Sequence, residues 1–232
     1  MTTPEQPAPA PAATAAAAMQ APTPNLVPFL VILGLLLVAA GAGVFLLLRP
    51  RLVFTNSLAA PIRVVAGDTP PRAMPPGGTV QLPGSFGKTL VVEWELVRPI
   101  SADSAPMGEE MRGSIVVKGA RGLVRASATT RPADGEYFAP LITNATSQPL
   151  RVMVNAGLVG AMDCGCAVRP GGERVFIGYY RLYLNSTVLV RGTSGATASF
   201  KDLGPQVTAR DGTVGLRFNE TDLRRVAAPS AR

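Results

Sequence analysis

The sequence predicts an all-β protein carried on a single N-terminal transmembrane helix, with two tandem immunoglobulin-like β-sandwich modules after the helix. Three observations predict it. Residues 26–48 form a run of 23 without a charged or strongly hydrogen-bonding side chain. Beyond Arg51, short runs rich in Val, Leu, Ile, Thr and aromatics are punctuated by Gly and Pro every eight to twelve residues, the pattern of short strands and turns. Within that region one passage echoes another 88 residues later.

Residues 1–25 hold nine alanines and six prolines, with Glu5 as the only charge. Proline at that density forbids a regular helix, and nothing bulky is present to offset the entropy of ordering, so this segment reads as a disordered tail. The apolar run 26–48 spans about 34 Å as a helix, enough to cross a bilayer. Pro28 falls in its first turn, where proline is tolerated, and Arg49-Pro50-Arg51 ends it. A cleaved signal would need a basic leader, a shorter apolar core and a small-residue cleavage site after it, so the expectation is a retained anchor. Gly34 and Gly41, with the small pair Ala39 and Gly43, give the helix strips where another helix can approach closely.

The N-terminal flank carries no basic residue, whereas Arg49, Arg51, Arg63 and Arg72 follow the helix. Positive-inside counting therefore places the N-terminus outside and the β-modules in the cytoplasm, with periplasmic modules as the alternative. Arg49 and Arg51 are placed to meet anionic lipid headgroups. An Ala-, Arg- and Gly-rich, Lys-poor composition points to a bacterium of high genomic G+C, hence its inner membrane.

Strands are expected over 52–55, 61–66, 79–82, 89–97, 114–118 and 122–128, then 137–143, 149–154, 158–162, 173–184, 186–191, 196–200, 205–209 and 213–218. Helical periodicity after residue 50 is confined to one turn near Thr221–Val226. Phe54-Thr-Asn-Ser-Leu-Ala-Ala-Pro-Ile-Arg-Val64 aligns with Ile142-Thr-Asn-Ala-Thr-Ser-Gln-Pro-Leu-Arg-Val152 at five of eleven positions, and Pro76-Gly-Gly78 recurs as Pro170-Gly-Gly172. Matched order predicts a duplicated module, 51–130 and 136–220, joined through Arg131–Gly135 and followed by a C-terminal tail, 221–232.

Chemistry is sparse. The absence of histidine removes Ser-His and Cys-His catalysis and His-ligated metals. Cys164 and Cys166, separated by Gly165, are the two cysteines: small turn residues, a soft-metal pair aided by the Met153 and Met162 thioethers, or a short, easily reduced bridge. Ser85-Phe-Gly-Lys88 matches the S-x-x-K spacing of acyltransferases but lies between β runs without the companion motifs. Glu93 and Glu95 alternate with Trp94 as on a half-exposed strand, and Glu109-Glu110 is the other close carboxylate pair. Phosphate-binding glycine fingerprints are absent. The glycosylation sequons at Asn144, Asn185 and Asn219 are set aside as chance matches in Thr-rich β sequence. Beyond residue 25 stand 19 arginines and 3 lysines against 14 acidic residues, scattered without aromatic interleaving, so no nucleic acid is expected. No catalytic constellation and no cofactor are predicted. The expectation is a scaffold or accessory subunit whose partners are other membrane-protein subunits; the alternative is ligand, copper or redox handling at Cys164 and Cys166.

Overall fold

The computed structural model describes residues 26–48, 51–83, 89–101, 104–118, 123–158 and 160–224. The chain divides into two compact units at Leu46/Leu47. The first holds all but the last two residues of α1 (Leu26–Leu48), whose apolar window Val27–Phe45 has no part buried. With Leu and Val on every side of the helix, no face is set apart for a protein core, as a bilayer span requires.

The second unit is built of strands. Its first half contains β1 (Arg51–Asn56), β2 (Ile62–Ala66), β3 (Arg72–Met74), β4 (Thr79–Pro83), β5 (Thr89–Leu96), β6 (Arg112–Lys118) and β7 (Leu123–Ala128). They form two sheets, ordered β4-β1-β7 and β3-β2-β5-β6. Within the first sheet β1 runs antiparallel to β4 and parallel to β7. Alternation decides which side chains enter the core: Leu52 and Phe54 from β1, Ile62 and Val64 from β2, and Val92, Trp94 and Leu96 from β5 are buried, while Glu93 and Glu95 face outward. Trp94 lies opposite Gly113 of β6, where a Cβ would stand 2.6 Å from the indole, so the ring occupies the space that the glycine leaves.

The second half contains β8 (Tyr137–Ala145), β9 (Leu150–Val154), β10 (Met162–Val168), β11 (Val175–Phe176), β12 (Tyr180–Arg181), β13 (Val188–Gly192), β14 (Thr197–Phe200) and β15 (Thr213–Asn219). Its sheets are ordered β10-β9-β13-β14 and β11-β8-β12, with β15 parallel to β8. Strand for strand this is the order of the first half, with β11 and β12 together in the position of β4.

Six successive residues of β8, Tyr137–Ile142, are buried because the strand packs on both sides. Tyr137 and Ala139 join Phe54, Leu58, Trp94 and Met111 in one core, whereas Phe138 and Ile142 join Val152, Val190 and Phe218 in the other. Phe176 and Tyr179 face the first core while Ile177 and Tyr180 face the second. This shared wall ties the two halves together through apolar contact.

Local differences from the sequence expectations have definite causes. The run 173–184 is broken between β11 and β12, where Gly178, at φ +106°, lies against the backbone of Gly108. Of the strand expected over 158–162, the described residues 158, 160 and 161 are bend, turn and coil, and β10 opens only at Met162. A 3-10 turn at Gly204–Gln206, opened by Pro205, replaces the strand expected over 205–209. β3 was not anticipated, being three residues with one buried side chain, Met74. At the other end, Glu220–Asp222 forms a 3-10 turn and Arg224 exchanges both backbone hydrogen bonds with Thr197, each 2.9 Å, so the start of the expected tail is docked.

Candidate functional site

Four places gather polar or reactive groups. The first is the cysteine pair. Cys164 and Cys166 lie on β10, an edge strand, and are joined as a disulfide. Gly165 between them adopts φ +61°, and its N–H donates to the Asp163 carboxylate at 3.0 Å. Pairing with β9 shifts between Asp163 and Ala167, so the bridge spans a bulge. Cys164 is buried in the second core while Cys166 is half-buried. Met162 packs toward that core, but Met153 occupies the opposite face of the sheet, so the two thioethers do not converge. Among the described residues no three His, Cys, Asp or Glu side chains cluster as a metal site. A ring closed over so short a loop restricts the unfolded chain little. Replacing both cysteines by Ala therefore costs about 1–2 kcal/mol, mostly from the lost burial of Cys164, checked by denaturant unfolding of the double variant against wild type.

The second place is the helix. An added Cβ at Gly34, Gly41 or Gly43 meets nothing within 4 Å, so these strips, with Ala39 beside them, are open to a neighbouring helix. Arg51 is exposed at the start of β1. Arg49, the Ser85–Lys88 motif and the tail 1–25 lie outside the described residues.

The third is the outer face of the β3-β2-β5-β6 sheet. Arg63, Glu95 and Arg112 form one cross-strand row; Val65, Glu93 and Ser114 form the next. Arg63 pairs with Glu95 at 2.6 Å, both more than half exposed, which is worth little in stability. These residues and Asp134 line a groove of about 660 Å³. Its charges are mixed, and of its three carboxylates Glu93 and Glu95 share a face of β5 as the alternation predicts. Glu109 and Glu110 diverge instead: Glu110 meets Arg98 at 3.1 Å, and Glu109 accepts the backbone N–H of Arg181 at 2.9 Å.

The fourth place, unforeseen from the sequence, is the junction between the halves. The Tyr179 hydroxyl accepts the Ala59 N–H at 2.8 Å and donates to the Asp211 carbonyl at 2.6 Å, joining segments of both halves. Tyr137 donates to the Asp134 carboxylate at 2.9 Å, and the Arg181 guanidinium lies 5.4 Å over its ring while meeting Asp134 at 3.3 Å. Burial, reinforced by the Asp134 carboxylate that accepts its hydrogen bond, pushes Tyr137 up to about 12. Burial likewise raises Tyr179 and Tyr180 well above the ordinary phenol range. Glu109 N–H bonds the Tyr179 carbonyl at 2.7 Å, so segment 107–111 closes over the gap between β11 and β12. The available signal was composition: Met107-Gly-Glu-Glu-Met111 and Ile177-Gly-Tyr-Tyr180 each set a glycine beside bulky residues, but pairing them needs the fold.

No protein-family model, no curated protein and no solved structure matches the chain.

Proposed function

We propose that this chain is a non-catalytic, membrane-anchored accessory or scaffold subunit that docks on a bacterial multi-subunit membrane complex through its helix and its arginine-rich β-unit. One observation carries the reading. A 23-residue apolar helix with none of its window buried must be covered by lipid or by other helices. The β-unit that follows it in the chain is braced across a shared wall, which suits it to holding neighbours at a fixed spacing.

We also propose that the β-unit is a duplicated immunoglobulin-like sandwich. Support comes from matched strand order and from matched chemistry at the repeated motifs. Asn56 exchanges backbone bonds with Gly77 and Gly78, as Asn144 does with Gly171 and Gly172, all at 2.8–2.9 Å. Gly77 and Gly171 adopt φ +70° and +73° in these turns.

Extraction in mild detergent followed by mass spectrometry of co-purifying chains tests the docking reading. The expected result is a partner in fixed stoichiometry that is weakened by Gly34→Leu with Gly41→Leu. Absence of any retained partner would overturn it. Topology has two readings. Positive-inside counting favours cytoplasmic modules, whereas the Cys164–Cys166 bridge favours an oxidising, extracytoplasmic side. C-terminal alkaline phosphatase and fluorescent-protein fusions separate them: phosphatase activity in cells selects the second.

A further inference from the structure

The edge strand β6 presents an unfilled half-ladder. It pairs only with β5 among the described residues, and its seven residues alternate between exposed and half-buried along their whole length. The Leu96 N–H bonds the Met111 carbonyl at 2.8 Å. With the register Trp94↔Gly113 and Val92↔Ile115, antiparallel alternation directs the backbone groups of Gly113, Ile115 and Val117 to β5. Those of Arg112, Ser114, Val116 and Lys118 then point away from the sheet.

The second half shows what such an edge accepts. There β14 occupies the place of β6 in its sheet, and Thr197, opposite Arg191, corresponds to Arg112, opposite Glu95. Thr197 has its outward N–H and carbonyl bonded by Arg224 from the chain's own continuation. The inner-face residue beside it, Ala198, is buried. In the first half the segment after β7 reaches only far enough for Ala133 and Asp134 to line the groove beside Arg112–Ser114. The inner-face residues Ile115 and Val117 stay half-buried, and Val116 is 53% exposed.

We infer that β6 is a β-augmentation site that takes an extended strand of a partner protein with acidic residues at both ends and apolar residues facing Ile115 and Val117. Charge selects that occupant over a second copy. Antiparallel self-pairing centred on Ile115 would set Arg112 against Lys118 at both ends of the ladder, and like charges directly opposite are destabilising. An acidic side chain opposite each cation turns the same positions into attraction. Backbone bonds at Ser114 and Val116 supply affinity, and the terminal charges supply selectivity. This names the kind of partner segment that the docking reading above would engage, and so rests on it.

The test uses the full chain in lipid nanodiscs and fluorescence anisotropy of labelled Asp-Val-Thr-Val-Thr-Val-Asp, with Lys-Val-Thr-Val-Thr-Val-Lys as comparison. The acidic-ended peptide should bind and the lysine-ended one should not. Val116→Pro removes an outward N–H at an edge position where proline is tolerated, and should weaken binding at least tenfold without lowering the melting temperature. Arg112→Glu with Lys118→Glu should exchange the preference between the peptides. No binding of either peptide, or binding indifferent to both sets of variants, would overturn the inference. If a co-purifying partner stays on the Val116→Pro variant, docking stands and the edge proposal falls. If the peptide binds with the expected dependence while no chain co-purifies, the edge proposal stands and the docking reading falls.

Discussion

Alanine at Asn56, or at Asn144, lowers the unfolding free energy by about 3–5 kcal/mol. Both asparagines are fully buried at the end of a first strand. The Asn56 amide donates to the carbonyls of Ala60, Met74 and Pro75 at 2.9–3.2 Å while its oxygen accepts the Leu58 N–H at 3.0 Å. The Asn144 amide donates to Gln148 and Val168 at 2.9 and 2.8 Å, and its oxygen accepts the N–H and hydroxyl of Thr146. Each side chain thus stitches the turn after its own strand to a strand end of another sheet. Alanine strips several buried backbone groups of their partner at once, each worth about 1–3 kcal/mol when left unpaired. Aspartate is no remedy, because a carboxylate cannot donate to those carbonyls. Ser57→Ala, on an exposed neighbour, should stay within about 0.5 kcal/mol. Trp94, the single tryptophan, reports the first core, so guanidinium unfolding followed by its fluorescence is the measurement. Because β8 is shared, the Asn144→Ala transition should also move the Trp94 signal. Losses near 1 kcal/mol for both variants would show that the turns hold without their asparagines.

Those asparagines also mark how far the sequence could be read. Thr-Asn followed by proline, and the paired Pro-Gly-Gly turns, were visible as repeated text because turn chemistry is local and restricts residue choice. Strand β5 was visible for the same kind of reason: Val92, Trp94 and Leu96 alternate with Glu93 and Glu95. Strand β3, Arg-Ala-Met, has too few apolar positions for a period and owes its state to β2 alongside it. The break at Gly178 depends on Gly108, seventy residues earlier in the chain, and local propensity carries no record of that contact. Continuous burial along Tyr137–Ile142 follows from two cores meeting at one strand, which a two-residue period cannot express. Among candidate sites, the cysteine pair was legible as a spacing, but its depth in the second core was not. β6 was legible as a strand over 114–118. That it ends its sheet among the described residues, with Arg112 and Lys118 at its two ends, is a property of topology alone.

Stability should be flat with pH around neutrality and collapse on the alkaline side. The chain has no histidine, so nothing with an ordinary histidine pKa titrates between about 5 and 8. Three of its four tyrosines are buried at or beside the wall shared by the two cores, and all three hold their phenol protons more tightly than the ordinary value of 10.0. For Tyr137 the folded-state value is about 12. Since the folded pKa lies above the unfolded one, the folded form binds more protons above the unfolded value. The contribution is therefore complete below pH 10 and is lost as pH rises through the folded values. Each such tyrosine contributes a slope of about 1.4 kcal/mol per pH unit, so the three together give a fall of about 4 kcal/mol per unit in the interval above about pH 10. Unfolding should therefore be abrupt, with the phenols ionising together as the wall opens, because Tyr179 also carries the Ala59 and Asp211 bonds that join the halves. Denaturant midpoints across the alkaline range, alongside ultraviolet titration of tyrosinate, measure both quantities on one sample. Tyr180→Phe removes one ionising group together with its bonds to the Ile177 carbonyl and the Gly108 backbone, and should make the alkaline slope shallower by about a third. Were the phenols to titrate near 10 in a protein that stays folded, these tyrosines would not be sealed in the wall as described.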